Sequence, residues 1–376
     1  MVSAVIFVAT SCVSPLTGFA FWETNLAYEG ESIYNYLQVK NLSDRTILFT
    51  NVLFGVQSVT MKDKGLTGMY YDTALAAPAL ADNANSALIL GMGTGTYARQ
   101  LKQYYPKMNI TGVEIDQKIT DLAGEYFDEP ADIPVTTYDG RAWLAASHDK
   151  YDVIMVDAYQ DITIPFQMSS TEFFTMVREH LNPGGVMVVN MNMISDGQGS
   201  INEALSDTIA SVFGNGNTLT ADVPNTTNRE LFAKKPGSGS EENSMQQASK
   251  ALNLRETTYE RTGSEDLEWY MEEVASRFRK VNEPDSASTI LTDDKAPVEV
   301  LACMPSIKSS PMRPAHIGRF SKTKASAVCC APCSRFDTRT ANVRAYGRLS
   351  IWLEKSRKRG NPTWKPFKAS GSRQTA

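Results

Sequence analysis

The stretch from Ser86 to Asp116 limits what this chain can fold into more than any other. Ala87-Leu88-Ile89-Leu90 is an apolar run of strand length, and Gly91-Met92-Gly93-Thr94-Gly95-Thr96 follows it. The pattern then predicts a helix from Tyr97 to Tyr105 and a second strand, Ile110 to Val113, ending on Glu114-Ile115-Asp116. Strand, glycine turn, helix, strand and acid form the plan of a nucleotide-binding βαβ unit. The glycines let the backbone turn sharply and approach a ligand where a Cβ would collide. A carboxylate at the second strand end, about 20 residues on, accepts hydrogen bonds from both hydroxyls of a ribose. The ligand expected at Gly91, Gly93, Thr94, Gly95 and Glu114 is therefore of adenosine type.

The same alternation continues downstream. A helix is expected over Lys118–Phe127, then a strand, Val135–Tyr138, ending at Asp139-Gly140. Tyr151–Val156 reads as a buried strand ending at Asp157, and Ser170–Leu181 as a helix. Asn182-Pro183-Gly184-Gly185 reads as a stop and turn before a strand, Val186–Asn190, and a helix, Ile201–Phe213. Near-continuous apolar strands alternating with helices imply a parallel sheet covered on both faces. Upstream, Ile33–Val39, Arg45–Phe49 and Val56–Thr60 alternate and lie close together, as in a small antiparallel sheet. Gly68–Leu80 turns helical, and two more helices are expected over Met245–Leu254 and Leu267–Val281. The expected fold is α/β, a mostly parallel sheet (68–301) behind a small N-terminal antiparallel β domain (23–67).

The flanks differ from this body. Residues 1–22 carry no charge, yet Ser, Thr, Pro and Gly dilute them as a membrane span and no basic n-region marks a secretory signal. They read as the last part of a membrane segment, as an apolar leader or as a buried first element. The first of these would attach the protein to a membrane. Residues 302–376 hold sixteen Lys and Arg against two acids, Asp337 and Glu354, and are rich in Ser and Pro. Such a tail is expected to be disordered or appended. It would touch nucleic acid or acidic membranes, or be an extension without function. Because the whole chain carries only −5, the body is strongly acidic. That excludes nucleic acid as the expected partner of the body and favours a cationic substrate, although solubility alone also explains it. All five cysteines, Cys12, Cys303, Cys329, Cys330 and Cys333, lie outside residues 23–301. A body without a disulfide framework fits a reducing, cytoplasmic compartment. The Cys329-Cys330-x-x-Cys333 cluster lacks a second ligand pair for zinc, and no metal is expected.

In an open parallel sheet, ligands bind at the carboxyl ends of the strands. Glu114, Asp139 and Asp157 fall at three successive strand ends. Asp139 can accept from the exocyclic amine of adenine, or cap the helix that Gly140-Arg141 begins. Asp157 would lie by the reactive part of the ligand, where a carboxylate holds a cationic amine or takes its proton.

On these residues, the chain from Asn25 to Glu299 resembles the spermidine synthase family of polyamine aminopropyltransferases, most closely its divergent bacterial members attached to membrane segments. Gly91–Thr96 stands where that family has G-G-G-D-G-G, and Arg99 fits the arginine that follows. Val113–Asp116, Tyr138-Asp139-Gly140, Tyr151–Asp157, Glu172-Phe173-Phe174 and Leu181–Gly185 match in order and spacing. The resemblance implies a class I methyltransferase-like (Rossmann-like) sheet behind the β domain. It implies transfer of an aminopropyl group from decarboxylated S-adenosylmethionine to a putrescine-like amine, in a homodimer without a metal. Glu114 would then bind ribose, Asp139 and Gly140 adenine, and Asp157 would orient and deprotonate the amine. Gln57, Tyr70 or Tyr71, Gln160 and Asp161 resemble substrate-contacting positions.

Three features depart from the family pattern. Thr94 replaces the acid that helps hold the aminopropyl ammonium. Asp157-Ala158-Tyr159-Gln160 replaces D-x-x-D, with Asp161 adjacent. No tyrosine-rich Y-P-x-Y segment occurs near Thr218–Arg229. Two further readings therefore stand beside aminopropyl transfer. One is a methyltransferase using ordinary S-adenosylmethionine, and the other is a non-catalytic nucleoside-binding module.

Overall fold

The computed structural model describes residues 23–51, 56–63, 65–158, 164–192, 199–214, 216–237 and 251–298, with the single residues 18, 20, 197 and 301. Gln160, Asp161, most of residues 1–22, and the basic tail with its cysteine cluster lie outside the described residues.

Four antiparallel strands form the first sheet in chain order: β1 (Leu26–Glu31), β2 (Tyr36–Asn41), β3 (Arg45–Thr50) and β4 (Val56–Met61). The sequence pattern predicted three of them and missed β1. It also placed Ile33 in a strand, whereas Ile33 sits in the β1–β2 turn and is 90% exposed. Ser32 makes that turn, its hydroxyl accepting from the Tyr34 and Asn35 N–H groups. Leu37, Val39 and Leu48 alternate onto one face and pack against Ile119 and Leu122 of the helix α4 (Gln117–Tyr126) and against Phe127, which follows its last turn.

The second sheet is built from the βαβ unit outward. Its parallel part joins β5 (Ser86–Leu90), β6 (Asn109–Glu114), β7 (Val135–Thr137), β8 (Tyr151–Val156) and β9 (Leu181–Asn192). Three antiparallel strands extend it: β10 (Thr218–Asp222), β11 (Asn228–Lys234) and β12 (Arg279–Lys280). The order is β12-β10-β11-β9-β8-β5-β6-β7. Leu88, Leu90, Ile154, Val156, Met187 and Val189 face one core, and Ala87, Ile89, Val153, Met155, Val186 and Val188 face the other. Burial on both faces is why these strands read as unbroken apolar runs.

The expected helix Gly68–Leu80 is two short helices, α1 (Tyr70–Ala74) and α2 (Ala76–Leu80). Pro78 has no N–H to give to the Ala74 carbonyl, and the Tyr97 hydroxyl donates to that carbonyl instead. The Asn182–Gly185 stop signal is absorbed into β9. Gly184 N–H donates to Lys235 O, and Gly184 O accepts from Asp82 N–H, so the turn residues are paired at the sheet. Helix α3 (Thr96–Tyr104) follows the glycine loop, and α5 (Gly140–Ala146), α6 (Thr171–His180) and α7 (Ile201–Phe213) lie where expected. The first of the two late helices, α8 (Ala251–Thr262), runs past the predicted end, and α9 (Glu265–Arg277) stops before Phe278. Among the described residues no helix is long and apolar enough to cross a membrane.

Candidate active site

Gly91, Gly93 and Gly95 all have positive φ, at 86°, 56° and 76°. Gly91 is the position that tolerates no side chain. A Cβ there would lie 2.5 Å from the Asp157 carbonyl oxygen, so the ends of β5 and β8 meet only over a glycine. Gly91 and Met92 N–H both donate to Val113 O, which folds the loop back over β6. Helix α3 starts from Gly95 with no side-chain cap, so its first N–H groups are offered to a ligand at the loop.

Glu114 is buried at the end of β6. Gly93 N–H donates to its Oε2 at 2.8 Å, and Asp116 N–H to its Oε1 at 3.0 Å. Burial pushes its carboxyl above the usual range, against the pull of these two bonds. The carboxylate is thus oriented by backbone and keeps acceptor capacity on both oxygens. Asp116, two residues on, does something else. It caps α4 through Lys118 N–H, and it accepts from Ser32 Oγ (2.6 Å) and Asn35 Nδ2 (2.9 Å), bolting the small sheet to the large one.

Beyond Glu114 a cavity of about 650 Å³ is lined by Ile33, Tyr34, Ile115, Asp116, Tyr138 and Asp139 among others. Ile115 and Tyr138 are 39% and 55% exposed there, apolar surface suited to a flat ring. Asp139 caps α5, accepting from Ala142 N–H at 2.8 Å. Capping, one of its two sequence readings, is therefore real, and it fixes the carboxylate at the cavity wall. Gly140 is the first residue of α5, against Leu90.

Asp157 lies just past β8. Tyr70 Oη donates to its Oδ2 at 2.5 Å and Asn190 Nδ2 to its Oδ1 at 2.9 Å. Burial pushes its pKa up to about 7, with the Glu114 charge adding to the rise and the two hydrogen bonds opposing it. Asn228 Nδ2 donates to Asn190 Oδ1 at 2.9 Å, which turns the amide donor of Asn190 toward Asp157. Tyr70 is placed by α1. That helix is pinned by the buried Asp72, which accepts from Thr67 N–H, Gly68 N–H and Gln100 Nε2. Tyr71 packs on Tyr70 with ring centroids 4.0 Å apart, and its hydroxyl donates to Gln57 O at 3.1 Å. Gln57 therefore meets the tyrosine pair through its backbone.

Thr94 is 1% exposed, and its hydroxyl has no partner among the described residues. Glu129, which no sequence pattern flagged, lies against the loop, with Oε1 3.0 Å from where a Gly95 Cβ would stand. Burial first, and then the Glu114 charge, lift its pKa to about 7. Asn190, Asn228 and Asp72 were also missed. Asn190 alone carried a readable signal, a polar residue closing the Val186–Val189 run. Among the described residues no group of three His, Cys, Asp or Glu is placed to hold a metal ion.

The chain is a transferase on a class I methyltransferase-like sheet. The spermine/spermidine synthase domain family model matches residues 69–235. A relative from Bifidobacterium longum described as a "Probable polyamine aminopropyl transferase" is 99% identical over 301 residues, 80% of this chain and 68% of the relative. A polyamine aminopropyltransferase of Vibrio vulnificus is 27% identical over 209 residues, 53% of this chain and 69% of the relative. In architecture the chain is similar to a crystal structure of a probable spermidine synthase from Corynebacterium glutamicum. The TM-score is 0.50 at 20% identity, covering 70% of this chain and 98% of that one. The chain belongs to the spermidine synthase family of polyamine aminopropyltransferases.

Proposed function

We propose that this chain transfers the aminopropyl group of decarboxylated S-adenosylmethionine to an amine of the putrescine type, with Asp157 as the base. The observation that carries this reading is the Asp157 carboxyl. It is held on both oxygens beside the glycine loop, and its pKa near 7 suits an acceptor of amine protons at neutral pH. The amine nitrogen attacks the carbon next to the sulfonium, the C–S bond breaks, and methylthioadenosine leaves. The proton the amine gives up goes to Asp157. A sulfonium is already activated, so the protein's main task is to position the amine and keep it unprotonated.

Glu114 is read as the ribose acceptor, Asp139 with Gly140 as the adenine edge, and Gly91, Gly93, Thr94 and Gly95 as the loop under the donor. Gln57, Tyr70, Gln160 and Asp161 are read as acceptor contacts. Residues 23–67 would form the β domain and 68–301 the catalytic domain. The carboxyls around the loop, Glu114, Glu129 and Asp157, support a donor that carries an ammonium and no carboxylate. Thr94 favours a second reading, methyl transfer from ordinary S-adenosylmethionine, because a hydroxyl does not repel the donor carboxylate as an acid would.

Incubating the chain with putrescine and each donor separately, and following methylthioadenosine and S-adenosylhomocysteine, separates the two. Methylthioadenosine from the decarboxylated donor is the expected result. S-adenosylhomocysteine from the ordinary donor alone would replace the proposal with the second reading. The cytoplasm and a homodimer complete the proposal, tested by cell fractionation and by light scattering. Recovery in the membrane fraction would instead support the membrane-segment reading of residues 1–22.

A further inference from the structure

We infer that Glu230 is a specificity-determining residue of the acceptor site, the carboxyl that receives the far ammonium of a diamine. This inference rests on the aminopropyl-transfer reading and names the acceptor class within it.

Glu230 is a central residue of β11 and is 0% exposed. Among the described residues neither of its carboxyl oxygens has a hydrogen-bond partner. A buried carboxyl without a partner costs free energy, and a structure that keeps one calls for an explanation. Its place in the sheet supplies one. In register, Val156 of β8 pairs with Val189 of β9, so Asp157 stands level with Asn190, and Asn190 pairs directly with Glu230. Met155, Val188 and Phe232, each two residues away along its own strand, all face the same core. Side chains alternate along a strand, so Asp157, Asn190 and Glu230 form one row on that face. Adjacent strands are about 4.8 Å apart, which puts the two carboxyl-bearing backbones about 10 Å apart, with both side chains on one side. A short aliphatic diamine lying along this row presents its reacting nitrogen to Asp157 and its other nitrogen to Glu230.

The groups that face Glu230 fit this role. Helix α1 packs over β9 and β11 and brings Tyr70 and Tyr71, and α3 brings Tyr97. The Glu230 charge opposes ionisation of both Tyr71 and Tyr97, whose rings therefore lie near it. Their hydroxyls are engaged elsewhere, Tyr97 on Ala74 O and Tyr71 on Gln57 O at 3.1 Å and Ser58 Oγ at 3.4 Å. Burial first, then the Asp157 charge, raise Glu230 well above the usual carboxylate range. An arriving ammonium takes over as its partner and favours the ionised carboxylate, so that a proton held there goes to solvent.

The test compares the native chain with E230Q, using decarboxylated S-adenosylmethionine with putrescine or n-butylamine as acceptor. Loss of a charge-assisted hydrogen bond should lower kcat/KM for putrescine about ten- to a hundredfold, carried in KM, with a much smaller loss for n-butylamine. In titration calorimetry in buffers of differing ionisation enthalpy, putrescine binding should release more protons in the native chain than in E230Q. E230L, which fills the site with carbon, should lose the same discrimination while melting at a higher temperature. An active native chain whose putrescine KM and proton count survive E230Q would overturn the role of Glu230 alone. A native chain that transfers to neither amine would overturn the function it rests on, and this inference with it.

Discussion

The Tyr70 hydroxyl reaches Asp157 across 2.5 Å, while Asn190 holds the other carboxylate oxygen at 2.9 Å. The two donors come from separate elements, one from a short helix ahead of the glycine loop and one from near the end of β9. Together they fix the carboxyl plane and partly offset the burial that lifts its pKa to about 7. Asp157 must be ionised to accept the amine proton, so activity should rise with pH through about 7. Asp157→Asn should remove that limb and lower kcat about a hundred- to ten-thousandfold. Nucleoside binding, measured by calorimetry with methylthioadenosine, should be unaffected. An unaltered pH–rate profile in the variant would assign the base elsewhere.

Tyr70→Phe tests the hydrogen bond itself. The bond favours the charged carboxylate, so losing it should move the Asp157 pKa further up and shift the rising limb of kcat toward alkaline pH by about one unit. Raising the pH should then restore much of the lost activity. A lowered rate with an unshifted limb would show Tyr70 to be a packing residue only.

Glu114→Ala addresses the other end of the site. Gly93 and Asp116 N–H groups both point at this carboxylate, so its removal takes away the ribose acceptor and loosens the loop in the same step. Methylthioadenosine affinity should fall about a hundredfold or more. Glu114→Gln, which keeps the shape, should fall less. Equal affinity in the native chain and both variants would remove Glu114 from the site.

What could be read in the sequence followed physical rules that act locally. Gly91, Glu114 and Asp157 were legible because a strand end followed by glycine or acid is a local pattern. Strands β10 and β11 were not, since Thr218–Asp222 and Asn228–Lys234 mix polar with apolar residues and depend on long-range pairing, β11 with β9 and β10 with β11, for their burial. Asn228 is placed by a contact far along the chain, Asn190, and Asp72 ties its local loop to the distant Gln100, links that no spacing encodes. Pro78 was visible, but its effect on the expected helix needed the Tyr97 hydroxyl to be understood.

Glu129 makes a prediction about stability. Its folded pKa is raised to about 7 from 4.5 by burial and by the Glu114 charge. A raised folded pKa contributes stability that is complete below the unfolded value and is lost as pH rises through the folded one. The native chain should therefore lose stability relative to Glu129→Gln between about pH 4.5 and 7, and run parallel to it above. Urea unfolding of both chains across that range measures the difference. Parallel curves throughout would place the Glu129 carboxyl in water.

Gly91→Ala separates a conformational need from a steric one. Gly91 and Gly68 both have positive φ, 86° and 75°. An alanine at either site carries backbone strain of about 1–3 kcal/mol. At Gly68 nothing lies within 4 Å of the new Cβ, so strain is the whole cost and turnover of folded protein should survive. At Gly91 the Cβ would stand 2.5 Å from the Asp157 carbonyl and 2.8 Å from the Ala158 nitrogen, both backbone atoms that cannot rotate away. The strand ends must part, and Asp157 moves with them. Gly91→Ala should thus melt lower than Gly68→Ala, and its folded fraction should lose about a hundredfold in kcat, the expected penalty for an ångström of misplacement at the reacting group. Thermal melts with active-site titration of the folded fraction check both. Equal melting points and equal turnover for the two variants would mean that β5 and β8 do not need the glycine to bring the loop and the base together.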